Sequence, residues 1–210
     1  MITQTENRGW VTRASQIVSI IFNPLLLLTY GMAIVLFSPA IFFIPHTGIK
    51  TLLFAIVATN NLVIPLLLIL FLKNRNLISS YNMGQRKERL VPMLAISLLY
   101  LITSLMMMRL RVPDTIKEFL FAAASVAFVT TMVTFRSKIS IHSAGAGALL
   151  ASAIVISITL NTFMLPWILA SILVAGVVMS ARLHLNAHTP SQVYLGFLAG
   201  LLVMGGVMLI

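Results

Sequence analysis

Six stretches of this chain contain no Asp, Glu, Lys or Arg, and they constrain its fold more than any other feature. These stretches are 14–49, 51–72, 90–108, 119–135, 139–181 and 183–210. A helix needs about 20 apolar residues to cross the hydrocarbon core of a bilayer, so each stretch has room for at least one span. Only 9% of the 210 residues are charged, whereas a soluble domain has about 25%. The sequence therefore predicts a single integral membrane domain, 1–210.

The longest charge-free stretch is predicted to hold two spans. Asn161, Thr162 and Pro166 interrupt it near its middle, and residues of these types favour a turn. The resulting fold class is an all-α, polytopic transmembrane bundle of about six to seven spans. The predicted spans are 16–39, 50–72, 91–109, 118–136, 143–160, 164–181 and 191–210.

Alternation of these spans places the N-terminus and the loops 73–90, 137–142 and 182–190 at one membrane face. Ten of the 14 Lys and Arg residues fall on that face. The positive-inside rule predicts that it is cytoplasmic, although cations gathered to bind a ligand would give the same bias. A net charge of +10 suits anionic headgroups of the bilayer or phosphate. Nucleic acid is not an expected partner, because the basic residues lie in short loops and not in a tail or stripe.

The first of these loops ends in a basic cluster. Arg86, Lys87 and Arg89 lie within four residues, just before a span expected to start near Pro92. Arg binds phosphate through two N–H groups, while Lys contributes a point charge. The cluster is therefore either a phosphate-binding element or a basic anchor beside the membrane.

The second loop places Lys138, Ser140 and His142 before a run of small residues. The N-terminal end of a helix presents unpaired N–H groups and a positive dipole end, so it favours anions. Ser140 is also the expected N-cap of the helix. A titratable side chain at membrane depth, such as His142, indicates a functional site.

The third loop carries Arg182, His184 and His188 within seven residues. Thr189 and Gln192 then fit a capping box, with Pro190 at the first helical position. The segments around these loops are predicted to meet at one membrane face. Cations beside two imidazoles suit a phosphate-binding site in which histidines transfer a phosphoryl group and a proton.

The order and spacing of these segments resemble the type-2 phosphatidic acid phosphatase superfamily, which includes lipid phosphatases and vanadium haloperoxidases. Its three blocks are Lys-x6-Arg-Pro, Pro-Ser-Gly-His and Ser-Arg-x5-His-x3-Asp. The corresponding segments here are Arg86-Lys87-Glu88-Arg89 with Pro92, Ile139-Ser140-Ile141-His142, and Ala181-Arg182-x5-His188-x3-Gln192. The motif-bearing core covers about 73–210. The Asp of the third block is replaced by Gln192, and the Gly of the second by Ile141.

The resemblance implies a hydrolase that acts on a lipid phosphate or diphosphate without a metal or other cofactor. His188 would attack phosphorus to form a phosphohistidine, and His142 would protonate the leaving alkoxide. Gln192 would orient His188 in place of the missing Asp. The expected phosphate-binding residues are Arg86, Lys87, Arg89, Ser140 and Arg182. The expected location is the bacterial inner membrane, and no oligomeric state is predicted.

Three further hypotheses stay open. Gln192 and Ile141 favour a protein that binds an anionic lipid without cleaving it. Asn60 and Asn61 inside a predicted span would suit a transport path, and three of the histidines (142, 184 and 188) would suit a metal site. The spacing of Gly196 and Gly200 predicts close packing against another helix of the same chain.

Overall fold

The computed structural model describes residues 2–37, 47–79 and 86–210, with side chains from Gly9 and Glu88 onward in the first and last of these stretches. Every regular element in these stretches is a helix. The helices are α1 (Ile2–Ile21), α2 (Pro24–Phe37), α3 (Thr47–Ala58), α4 (Ile64–Asn74), α5 (Arg86–Met108), α6 (Asp114–Arg136), α7 (Ile141–Thr159), α8 (Leu165–His184) and α9 (Pro190–Met208). The predicted all-α fold is confirmed.

Six helices within the described stretches are long and apolar enough to cross a membrane. One is the continuous helix Thr47–Asn74, in which the π-helical turn Thr59–Val63 joins α3 to α4. The others are α5, α6, α7, α8 and α9. The bent pair α1–α2 gives a seventh span if it is counted as one. The described part of the chain therefore has six to seven helical segments that could span a membrane, as its charge-free stretches predict.

The first predicted span, 16–39, is wrong as a straight helix. The axes of Gly9–Ile21 and Pro24–Phe37 meet at a bend of 56°. Pro24 has no N–H and cannot continue a helix interior, but it is well suited to the first turn of a new one. The side chain of Asn23 caps that turn by accepting the N–H of Leu25 at 3.1 Å. The Asn-Pro pair is a turn signal that the sequence already contains.

The helix that contains the third predicted span begins several residues before that span. Helix α5 begins at Arg86 and contains Pro92, so the basic cluster is helical and is not a loop before the membrane. Arg89 lies on the first turns of this helix and is only 9% exposed. A cation that the sequence assigns to a surface loop is therefore buried among the helices.

Helices α7 and α9 form the most extensive helix pair of the bundle. Glycines allow their backbones to touch: a Cβ on Gly200 would overlap the carbonyl of Ala144, and a Cβ on Gly147 would overlap that of Phe197. Gly196 packs against the carbonyl of Ser140 in the same way. The predicted packing of Gly196 and Gly200 within the chain is confirmed, and it holds the N-terminal ends of α7 and α9 together.

Gly200→Ala is expected to lower the free energy of unfolding by roughly 1–3 kcal/mol, because the added methyl group forces α9 away from α7. Gly206→Ala is the matched control, since a Cβ there meets no atom within 4 Å. The thermal midpoints of the two variants in detergent measure the difference. Equal midpoints would show that the α7–α9 contact does not depend on Gly200.

Candidate anion site

A backbone hydrogen bond joins the beginnings of α7 and α9. The N–H of Ser140, just before α7, donates to the carbonyl of Gln192 in the first turn of α9 at 3.1 Å. Gly196 makes this approach possible because its missing side chain leaves room for Ser140. His142 and His188 therefore occupy neighbouring helix starts. The N-terminal ends of these helices supply positive dipole ends on the same side of the site.

The imidazole of His188 is held in one orientation. His188 is 7% exposed, and its Nδ1 lies 3.1 Å from Oε1 of Gln192. The same Oε1 accepts the backbone N–H of Thr189 at 3.4 Å, as part of the predicted capping box. A backbone N–H can only donate, so the atom of Gln192 at this point is its oxygen. Nδ1 of His188 therefore carries the hydrogen, and Nε2 keeps its lone pair.

The charge state of His188 follows from its surroundings. Burial lowers the pKa of the imidazole, and the hydrogen bond to Gln192 opposes that shift. The positive charges of Arg89, Arg182 and Lys138 lower the pKa further. The neutral form, which carries the nucleophilic lone pair, therefore predominates at pH 7.

The charges of three cationic side chains act on His188. Burial lowers the pKa of Lys138, and the charges of Arg89 and Arg182 lower it further. His142 lies within electrostatic range of Arg182, His188 and Arg89. We call these five residues the anion site. They come from α5, α7, α8 and two short loops, as the alternation of spans predicts.

Two cations of the anion site form no ion pair with an acid among the described residues. Within the described residues, neither Lys138 nor Arg182 forms an ion pair, and the one salt bridge found joins Lys117 to Asp114. The sequence contains no Asp or Glu after Glu118. Arg182 is half-buried and its Nε is fully buried, so it favours an anion from outside the protein. Lys138 is also half-buried and adds a further positive charge at the wall of the cavity beside His188.

Arg182 has a donor without an acceptor. Its Nη1 donates to Oγ of Ser19 at 3.3 Å, while its Nε is buried and has no hydrogen-bond partner among the described residues. An unsatisfied buried donor costs about 1–3 kcal/mol, and more when the group is charged. An oxygen of a bound phosphate would remove that cost.

His142 is bonded to a residue that the sequence analysis did not identify. Its Nε2 lies 3.1 Å from the backbone carbonyl of Ser19. Ser19 therefore contacts both His142 and Arg182, although it lies more than 120 residues before either. No local motif marks Ser19, because its two partners lie on α7 and α8, far along the chain.

A cavity of about 520 Å³ opens beside His188. Its walls include Lys138, Asn186 and Gln192. Asn186 has a φ of 49°, a left-handed conformation that Asn tolerates better than most residues. It follows the end of α8 and turns the chain back toward α9, so that His188 faces the cavity. The volume lies within the range of small-molecule sites, about 300–1,000 Å³.

Several residues expected in the site have other positions. Ser140 is fully buried, and its Oγ accepts both the N–H and the hydroxyl of Ser143. It is thus the predicted N-cap, and it is not among the residues that line the cavity beside His188; its binding of phosphate stays a prediction. The side chains of Arg86 and Lys87 lie outside the described residues. His184 bonds to the hydroxyl of Thr12 at 3.2 Å, away from the anion site.

The structure also bears on the metal site and the transport path that the sequence left open. The described residues contain no group of three His, Cys, Asp or Glu side chains able to hold a metal ion. Asn61 is 1% exposed; its side-chain oxygen accepts from Thr103 at 2.9 Å, and its carbonyl accepts from Tyr100 at 3.3 Å. Asn61 therefore joins two helices, and its polarity is accounted for by packing.

No family model, curated protein or solved structure matches this chain.

Gln192→Glu is expected to raise the pKa of the His188 imidazole by about one unit. The two side chains have the same length, but a carboxylate stabilises the cationic imidazole by roughly 1–1.5 kcal/mol more than an amide does. An NMR titration of the imidazole measures the shift. In the wild type, burial keeps this pKa below 6.5, the ordinary value for imidazole. Gln16→Glu adds the same charge at an exposed position; identical titrations of His188 in both variants would contradict the expectation.

Proposed function

We propose that the protein is a membrane phosphatase that hydrolyses a lipid phosphate or diphosphate, and that it is a divergent member of the type-2 phosphatidic acid phosphatase superfamily in the bacterial inner membrane. One observation carries the proposal. Lys138 and Arg182 form no ion pair among the described residues, and their charges act on His188. The Nδ1 of this imidazole is bonded to Gln192, which leaves Nε2 available for attack. This combination suits a phosphate ester whose phosphoryl group is transferred to the imidazole nitrogen.

In the first step, Nε2 of His188 attacks phosphorus. An N–P bond forms while the P–O bond to the lipid breaks. His142, once it carries a proton on both ring nitrogens, donates one of them to the leaving alkoxide. Arg89, Arg182 and Lys138 stabilise the negative charge on the phosphoryl oxygens in the transition state.

In the second step, water attacks the phosphohistidine. His142, now neutral, accepts a proton from the water as the O–P bond forms. The N–P bond breaks, inorganic phosphate leaves, and His188 recovers its lone pair. Proton donor and proton acceptor are thus the same imidazole in successive steps. Hydrolysis needs no metal in this scheme.

A second candidate is a protein that binds the anionic lipid and does not cleave it. Gln192 favours this candidate, because a neutral amide stabilises a cationic phosphohistidine less than a carboxylate does. In serine proteases the loss of the orienting carboxylate costs about 10⁴ in rate, largely through the wrong tautomer. Here the capping bond from Thr189 keeps the amide oxygen toward His188, so the correct tautomer is retained.

The test is phosphate release by the purified protein from three lipids: phosphatidate, phosphatidylglycerol phosphate and an isoprenyl diphosphate. The assay contains a chelator, and the His188→Ala variant serves as the blank. Release above the blank from at least one lipid is expected. Equal rates for wild type and blank on every lipid would reject the phosphatase. If the protein still bound the lipid, that result would favour the second candidate, a lipid-binding protein.

A further inference from the structure

We infer that Ser19, on helix α1, is a positioning residue of the anion site, with its hydroxyl holding the guanidinium of Arg182 and its carbonyl holding the imidazole of His142. The inference deepens the proposed function, on which its kinetic part rests. Helix α1 contributes none of the five residues of the anion site. Through Ser19 it nevertheless holds two of them in place.

The carbonyl of Ser19 is available because helix α1 ends there. In an uninterrupted helix it would accept the N–H of Asn23. The bend prevents this: the N–H of Asn23 bonds to Ile20 at 3.3 Å, and that of Phe22 bonds to Val18 at 2.9 Å. The last carbonyls of a helix lack partners within the helix. The one at Ser19 is used by His142 at 3.1 Å.

The bond to Ser19 decides which nitrogen of His142 faces the reaction. A carbonyl oxygen can only accept, so Nε2 of His142 must carry a hydrogen. Nδ1 is then the nitrogen that gains and loses the proton during catalysis. At His188, too, an acceptor holds one ring nitrogen and leaves the other to react, but there Gln192 holds Nδ1 and leaves Nε2. The two imidazoles are thus held through different ring nitrogens.

The hydroxyl of Ser19 fixes the plane of the Arg182 guanidinium. Nη1 is bonded to Oγ at 3.3 Å, while Nε is buried without an acceptor among the described residues. Arg binds phosphate most strongly through two parallel N–H groups along one edge of the guanidinium. Holding Nη1 at Ser19 leaves the edge that contains Nε for the phosphoryl oxygens. Ser19 therefore acts on phosphate through Arg182 and need not touch it.

Three variants of the full chain test the inference. Ser19→Ala removes the hydroxyl and keeps the carbonyl. Ser19→Thr keeps both. Ser15→Ala removes a buried hydroxyl one turn earlier on α1, from a residue that lacks the bonds that Ser19 forms with Arg182 and His142. Each variant is assayed in two ways: binding of inorganic phosphate, followed by the rise in thermal midpoint with phosphate concentration, and steady-state hydrolysis of the best lipid substrate.

Loss of the hydroxyl should weaken phosphate binding roughly three- to tenfold in Ser19→Ala, the range expected for one hydrogen bond. KM should rise by the same factor, while kcat should change less than about twofold because His142 keeps its carbonyl partner. Ser19→Thr should recover most of the lost affinity, and Ser15→Ala should bind like the wild type. This split between KM and kcat would not arise from a general loosening of α1.

Two results would overturn the inference. One is equal phosphate affinity and equal KM in Ser19→Ala and Ser15→Ala. The other is a loss shared by all three variants together with lowered thermal midpoints, which would assign Ser19 to helix packing alone. Weaker phosphate binding in Ser19→Ala without hydrolysis by the wild type would support the positioning role and reject the phosphatase, so the two failures are distinguishable.

Discussion

Replacing His188 by Ala is expected to reduce phosphate release from the lipid substrate by about 10³-fold or more. Without the imidazole no N–P bond can form, and loss of a nucleophile in comparable two-step hydrolases costs at least this much. The phosphorylated intermediate should disappear as well. Brief exposure of the wild type to labelled substrate, followed by alkaline quench, should trap label on the protein, and the variant should trap none.

His184→Ala is the matched control for this prediction. His184 lies four residues before His188, but it is exposed and bonds to Thr12. Its replacement should change the rate by no more than about twofold, as for most surface substitutions. Similar rates in the two variants would rule out His188 as the nucleophile. Partial recovery of His188→Ala by added imidazole would show that the lost group, and not the fold, limits the rate.

Arg182→Lys is expected to lower kcat/KM about 10²-fold although the charge is kept. Lys cannot reproduce the planar set of donors through which Arg182 reaches Ser19 and presents Nε. A single well-placed donor to a developing oxyanion contributes roughly 3–4 kcal/mol in enzymes, and Lys replaces only part of it. Binding of inorganic phosphate should weaken in parallel, as measured by the rise in thermal midpoint.

Arg109→Lys provides the control for the same chemical change. Arg109 is exposed at the opposite end of the bundle, just after α5. It should leave both phosphate binding and the rate close to those of the wild type. If the two Arg→Lys variants behaved alike, the role of Arg182 would be to neutralise the C-terminal end of α8, and it would not bind phosphate.

The anion site was predictable in part because membrane spans alternate in direction. A chain segment inside the bilayer must satisfy its own backbone hydrogen bonds, which a helix does, so long charge-free stretches indicate the spans without any knowledge of packing. The order of the spans then places three distant segments at one face. Arg89, Lys138 and His188 meet there for this reason. The cap at Ser140 and the box at Thr189 also follow from local sequence.

The bend at Asn23 and Pro24 was predictable but was not predicted. The apolar stretch continues through both residues, and hydropathy alone does not register a missing N–H. Arg89 illustrates a different difficulty. The sequence shows a basic cluster near the membrane. Only the structure shows that α5 already begins at Arg86, and that Arg89 is therefore buried among the helices.

The sequence by itself determined the membrane class, the approximate spans, the helix caps and the shared face of the basic segments, because these follow from local hydropathy and backbone chemistry. Only the tertiary structure decided that Ser19 reaches His142 and Arg182, and that the N–H of Ser140 bonds to the carbonyl of Gln192. Such contacts depend on distances of about 3 Å between residues far apart in the chain. Those distances are set by the bend angle between α1 and α2 and by the glycine contacts between α7 and α9, which no local pattern encodes.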